Sequence, residues 1–193
     1  MTWQSQLKGD ALAWLLEPDS PGARYLALRD LCDLPADGAE LRAARKAAHK
    51  KGPIATILAK MNQAGYWSTP GPGYNPKYRS SVWSLVTLAQ LGASLDEDKR
   101  IARACDYILD CALAPGGQFT ASGAPSGTAD CLQGELCSAL LELGCDDARL
   151  ESAFEWMARS VTGEGIAPAT DRQATVRYTN RTLKFHIRRT QPS

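Results

Sequence analysis

Cys131 and Glu135 are the two residues whose types and spacing most directly suggest chemistry. Four positions apart on a helix, they share one face a turn apart, so a thiolate and a carboxylate could ligate one metal ion, with zinc suited to that donor pair. Such a site needs further ligands, and the remaining cysteines do not supply them locally. Cys131 and Cys137, like Cys105 and Cys111, are six positions apart. That is a rotation of about 240°, which puts each pair on different faces. His49 lies in the basic stretch from Arg42 to Lys51 and His186 in a C-terminal segment of different character, so neither holds an obvious ligand position.

Arg79, with Lys77 and Arg24 near it in type, could bind an anion such as a diphosphate through the guanidinium fork. Tyr78, Trp83 and Trp67 offer π faces to a cation. Aromatics at helical spacing or beside a glycine more often anchor a core, and with 7% aromatic residues that is the reading the sequence favours. Asp146 and Asp147 form an adjacent acidic pair, but they open a helix, where the dipole and solvent account for them. The helix face Arg42, Arg45, Lys46, His49 and Lys50 alternates with alanines and reads as a solvated face. No second basic or aromatic element can be placed beside it, so nucleic-acid binding is not expected.

The elements that must position these residues are helical hairpins in repeat. The segment Tyr78 to Leu109 slides onto Asp130 to Met157 with the same grammar. In the first copy Val82, Leu85, Val86, Leu88 and Leu91 lead to Gly92, and Ile101, Cys105, Ile108 and Leu109 follow. In the second, Leu132, Leu136, Leu140 and Leu143 lead to Gly144, then Leu150, Phe154 and Met157. Glycine just past a helix end takes the left-handed conformation without a Cβ penalty, so Leu91-Gly92 and Leu143-Gly144 are expected to be equivalent turns. A diverged third copy lies upstream: a helix from Ala23 to Leu34, a turn from Pro35 to Gly38, a helix from Ala39 to Lys51, then a short helix from Pro53 through Met61. Each hairpin is followed by a glycine-rich, often aromatic exit: Gly65-Tyr66-Trp67, Gly116-Gly117-Gln118-Phe119 and Gly163-Glu164-Gly165-Ile166. Connectors 68–76 and 120–128 are rich in Pro, Gly and Ser and favour turns.

A chain of 193 residues suits one domain and can bury roughly 70% of its unfolded surface without a metal or disulfide staple. With 44% hydrophobic and 22% charged residues and a net charge of +1, it reads as globular rather than disordered. No stretch approaches the apolar length of a membrane span. The run Ala11 to Leu16 is bracketed by Asp10 and Glu17, with no cleavage site after it, so the expected location is cytoplasmic. The six cysteines then read as free thiols, mostly buried.

Paired helices repeating at roughly 50 residues with Gly-aromatic exits are the pattern of a stacked helical array. The exits resemble the glutamine-tryptophan repeat of squalene and hopene cyclases, with Gln63, Gly65 and Trp67 closest and Gly117 with Phe119 next. Trp14-Leu15-Leu16-Glu17-Pro18, Leu28-Arg29-Asp30-Leu31, Pro76-Lys77-Tyr78-Arg79-Ser80 and Cys131-Leu132-Gln133-Gly134 are similar to a bacterial group of prenyltransferase-like toroid proteins. The likeness runs over residues 10–170. It implies an all-α fold of consecutive antiparallel hairpins, half of the α/α toroid of terpenoid cyclases and protein prenyltransferases, because about three hairpins are present where a ring holds about six. A half ring leaves apolar ends, so the resemblance implies either self-association that completes the ring or a fragment.

The domain expectation is a hairpin domain over 1–170 and a basic tail over 171–193, which drops the Leu-Gly pattern and reads as irregular or truncated. By resemblance, Asp130 would be a catalytic acid or ligand and Cys131 a zinc ligand, in an isoprenoid-type enzyme. The acid segment Asp-x-Asp-Asp of the cyclases is missing. The expectation is therefore a helical-repeat protein of undefined activity that binds a partner or a hydrophobic small molecule on its inner-helix face.

Overall fold

The computed structural model describes residue 6 and residues 8–168 and 170–174. The described chain is all-α. Its helices are α1 (Ala11–Leu15), α2 (Pro21–Asp30), α3 (Ala39–Lys50), α4 (Pro53–Ala59), α5 (Ser81–Gln90), α6 (Lys99–Ala112), α7 (Asp130–Glu142) and α8 (Arg149–Thr162), with a 3₁₀ turn at Pro125–Gly127. Two isolated antiparallel bridges, Leu113 with Phe119 and Thr120 with Thr128, are the β-type pairings among the described residues. No described helix is long and apolar enough to cross a membrane. The basic segment from 175 onward lies outside the described residues.

Hydrophobic spacing explains why the long helices form and which faces they bury. In α6 the buried residues Ile101, Ala104, Cys105, Ile108, Leu109 and Ala112 form one stripe at three- and four-residue steps. In α7 the buried set Leu132, Gln133, Leu136, Cys137, Ala139 and Leu140 is broader, because this helix packs against both α5 and α8. Each fully buried Leu or Ile of this core contributes about 1.5–3 kcal/mol relative to exposure. Helices α5 and α6 touch, as do α7 and α8, and the first helices of the two pairs, α5 and α7, also pack together. Upstream, α2 packs on α3, and α4 bridges α3 to α5.

The two expected turns match bond for bond. Gly92 has φ 73° and Gly144 has φ 89°. In the first, Gly92 N–H donates to Ala89 O and Ala93 N–H to Leu88 O; in the second, Gly144 N–H donates to Leu141 O and Cys145 N–H to Leu140 O. Both are Schellman caps, which satisfy carbonyls left open at the helix ends. The turns are also tied to each other, since Leu95 N–H donates to Leu143 O at 3.0 Å.

The exits repeat with equal fidelity. Asn62 N–H donates to Tyr66 O and Gly65 N–H to Asn62 O; fifty-two residues on, Ala114 N–H donates to Gln118 O and Gly117 N–H to Ala114 O. Glycine is required there by close approach. A Cβ on Gly65 would lie 2.6 Å from Arg103 O of α6, and one on Gly117 would collide with Ser152 O of α8. The outgoing helices share a further device. Asp98 and Asp147 each accept the N–H of the arginine two residues on and pair with its guanidinium.

Candidate functional site

Residues 73–83 build an exposed aromatic feature at the start of α5. Ser80 Oγ donates to Gly73 O at 2.6 Å, Val82 N–H donates to the same carbonyl at 3.0 Å, and the Trp83 indole N–H donates to Tyr74 O at 2.9 Å. These three bonds close the connector onto the first turn of α5. Tyr78, within the loop, has φ 63°, a left-handed conformation uncommon for a bulky residue. Its ring is held outward and is 72% exposed. Trp67, by contrast, is core: it is 4% exposed, and its indole N–H donates to Ile57 O. The core-anchor expectation therefore holds for Trp67 and fails for Tyr78, because the turned loop carries Tyr78 away from the apolar stripe of α5.

The three rings of this loop pack as a wedge. Tyr78 and Trp83 have centroids 4.9 Å apart at 56°, and Tyr74 and Trp83 are 5.3 Å apart at 57°. The Lys77 ammonium stands 5.1 Å from the Tyr78 centroid and 5.6 Å from that of Trp83, within cation–π range of both. The Tyr78 phenol first, then the fields of Tyr78 and Tyr74, raise the Lys77 pKa above the ordinary lysine value against a small desolvation effect.

A groove of about 300 Å³ lies between α5 and α7, its α5 wall beginning at Val86, three residues on from Trp83. Val86, Ala89 and Ala139 give it an apolar floor, and Glu135, Ser138 and Glu142 line it from the exposed side of α7. Nothing lies within 4 Å of where a Cβ on Gly134 would stand, so the groove is open there.

Of the residues singled out by sequence, Tyr78 and Trp83 are brought together. Arg79 is exposed on the same loop. Asp130 is the first residue of α7, exposed, where a negative charge suits the helix dipole. Cys131 is exposed beside it, and Glu135 lies one turn on at the groove. Among the described residues no group of three or more His, Cys, Asp or Glu side chains is gathered as a metal site.

Three residues hold roles other than the sequence suggests: Lys77 reads there as part of an anion site, His49 as part of a solvated face although it is buried, and Gln133 only as part of a motif. Lys77 fills the wedge. Gln133, 1% exposed, accepts Phe119 N–H at 2.6 Å and donates to Gly117 O at 3.1 Å and Ala153 O at 3.0 Å, locking the exit, α7 and α8 together. His49, buried in α3, has its Nδ1 2.8 Å from Arg45 O, and its Nε2 accepts Ser94 N–H at 3.0 Å. His49 thereby clamps α3 to the loop that joins α5 and α6. The fifty-two-residue offset that pairs Phe119 with Trp67 also pairs Gln133 with Ser81, and would have pointed to a shared role.

No family model, curated protein or solved structure matches the chain.

Proposed function

We propose that this chain is a toroid-type helical-repeat protein, half a ring of hairpins, whose inner-helix face binds a partner or a hydrophobic small molecule. The observation that carries the reading is the wedge of exposed Tyr78 on half-buried Tyr74 and Trp83, at the start of the same helix, α5, that walls the apolar-floored groove against α7. The bond-for-bond repetition of turns and exits supports the stacked-hairpin part of it. The loop is closed by hydrogen bonds and the Trp83 indole is bonded to Tyr74 O, so a ligand meets a loop already ordered, without the entropy loss of ordering it.

Binding of a neutral hydrophobic dye, Nile red, tests the reading. The wild-type chain is expected to bind it saturably, and Tyr78→Ser, a change at an exposed ring, to weaken it several-fold without altering the fold. Equal binding by both proteins would overturn the placement of the site. Light scattering tests the self-association that a half ring implies: a dimer supports it, and a monomer with no dye-binding surface removes it.

A second reading, an isoprenoid-type enzyme with Asp130 as acid or ligand and Cys131 as a zinc ligand, draws on the exposed positions of both residues in the first turn of α7. Metal analysis of protein purified without chelator distinguishes it. Stoichiometric zinc that is lost in Cys131→Ser would favour the enzyme.

A further inference from the structure

The wedge already holds a cation, the chain's own Lys77. We infer that the Tyr74, Tyr78 and Trp83 wedge is a binding site for a small quaternary ammonium ligand, and that Lys77 is its built-in occupant, displaced when the ligand enters. The inference rests on the reading of the inner face as a ligand surface and names the chemistry of its rim.

Four observations support it. The faces of Tyr78 and Trp83 meet at 56°, so a cation in the angle lies within range of both ring quadrupoles at once. Tyr74 stands against Trp83 at 57° and extends the aromatic surface. The closure of the loop onto α5 does not use Lys77, because Ser80, Val82 and Trp83 make it by hydrogen bonds to the Gly73 and Tyr74 carbonyls. Lys77 itself is exposed and carried on a flexible four-carbon stem, so it can leave the wedge into water. A quaternary ammonium is more weakly hydrated than a primary one. It therefore loses less on entering an aromatic site, and its charge is spread over methyl groups that touch the rings.

The surrounding charges divide by side. Arg79 sits on the loop with Lys77, while Asp130 heads α7 and Glu135 lines the groove between α5 and α7.

Choline is the probe, with its neutral isostere 3,3-dimethyl-1-butanol as control, followed through the Trp83 indole signal assigned with a Trp83→Phe variant. The full chain is expected to bind choline and not the isostere. Lys77→Ala is expected to bind choline roughly two- to five-fold more tightly, the equivalent of one exposed cation–π contact released from competition. Loss of choline binding in Lys77→Ala would overturn the inference, since Lys77 would then be a contact for the ligand rather than its competitor. Equal binding of choline and the isostere would overturn it as well. Retained Nile red binding with no choline binding would remove this inference and leave the hydrophobic-ligand reading standing. Loss of both in Tyr78→Ser, with the fold intact by circular dichroism, is the result expected if both are right.

Discussion

Phe119 N–H donates to Gln133 Oε1 at 2.6 Å, and at the equivalent place one repeat earlier Trp67 N–H donates to Ser81 Oγ at 3.0 Å. The same join, an exit aromatic tied through its amide to the first helix of the next pair, is thus made by two different side chains. The longer one also reaches α8, through Ala153 O.

Gln133→Leu keeps the volume and removes the bonds. It leaves Phe119 N–H and two carbonyls in the core without these partners, and a buried unpaired group costs about 1–3 kcal/mol. Urea denaturation should show a loss in that range. Ser81→Ala, which removes a single acceptor, should lose less.

Two glycine substitutions should act in opposite directions. Gly117→Ala drives a methyl into Ser152 O and should destabilise strongly, because that oxygen belongs to helix backbone that cannot yield. Gly134→Ala meets nothing within 4 Å inside a helix and should raise stability by up to about 1 kcal/mol. Thermal melts of the two variants against wild type check both signs.

The Arg149 guanidinium, its main partner, and the Arg149 amide hold the Asp147 carboxyl at a pKa of about 2, below its ordinary 3.8. A carboxyl depressed on folding adds stability that is present above its unfolded pKa and is lost as pH falls through the folded one. Wild-type stability should therefore fall between about pH 4 and pH 2, and Asp147→Asn should flatten part of that slope. Denaturation midpoints across this window test it. An unchanged slope in the variant would contradict the assignment.

With Nε2 accepting from Ser94 N–H, the proton of His49 belongs on Nδ1, facing Arg45 O. Nitrogen NMR of the imidazole should report that tautomer, which is the less common one in free histidine. His49→Leu should destabilise by about 1–3 kcal/mol, since Ser94 N–H loses its acceptor.

The turns were legible in the sequence because their signals are local. A leucine stripe stopped by glycine specifies a Schellman cap whatever surrounds it, and Gly92 and Gly144 have the expected geometry. Two upstream helices were legible for the same reason, since Pro53 opens α4 and Gly38 precedes α3, whereas the helix expected over Ala23 to Leu34 starts at Pro21 and ends at Asp30. Gln133 was not, because nothing within one turn of it shows that a loop amide and two carbonyls will converge on its side chain. The outward turn of Tyr78 depends on the loop closing over Gly73, a contact between residues whose local propensities do not announce it. The pairing of Asp98 with Arg100 and of Asp147 with Arg149 was written in the sequence as a repeated Asp-x-Arg, and went unread beside the simpler expectation of acidic helix starts.

The most direct test of the inner-face account is a map of amide and indole NMR shifts on addition of Nile red. The account predicts saturable changes at Trp83, Val86, Gly134 and Ser138, along the wedge and groove between α5 and α7. Changes confined to the outgoing helices α6 and α8, with these four residues unmoved, would contradict it.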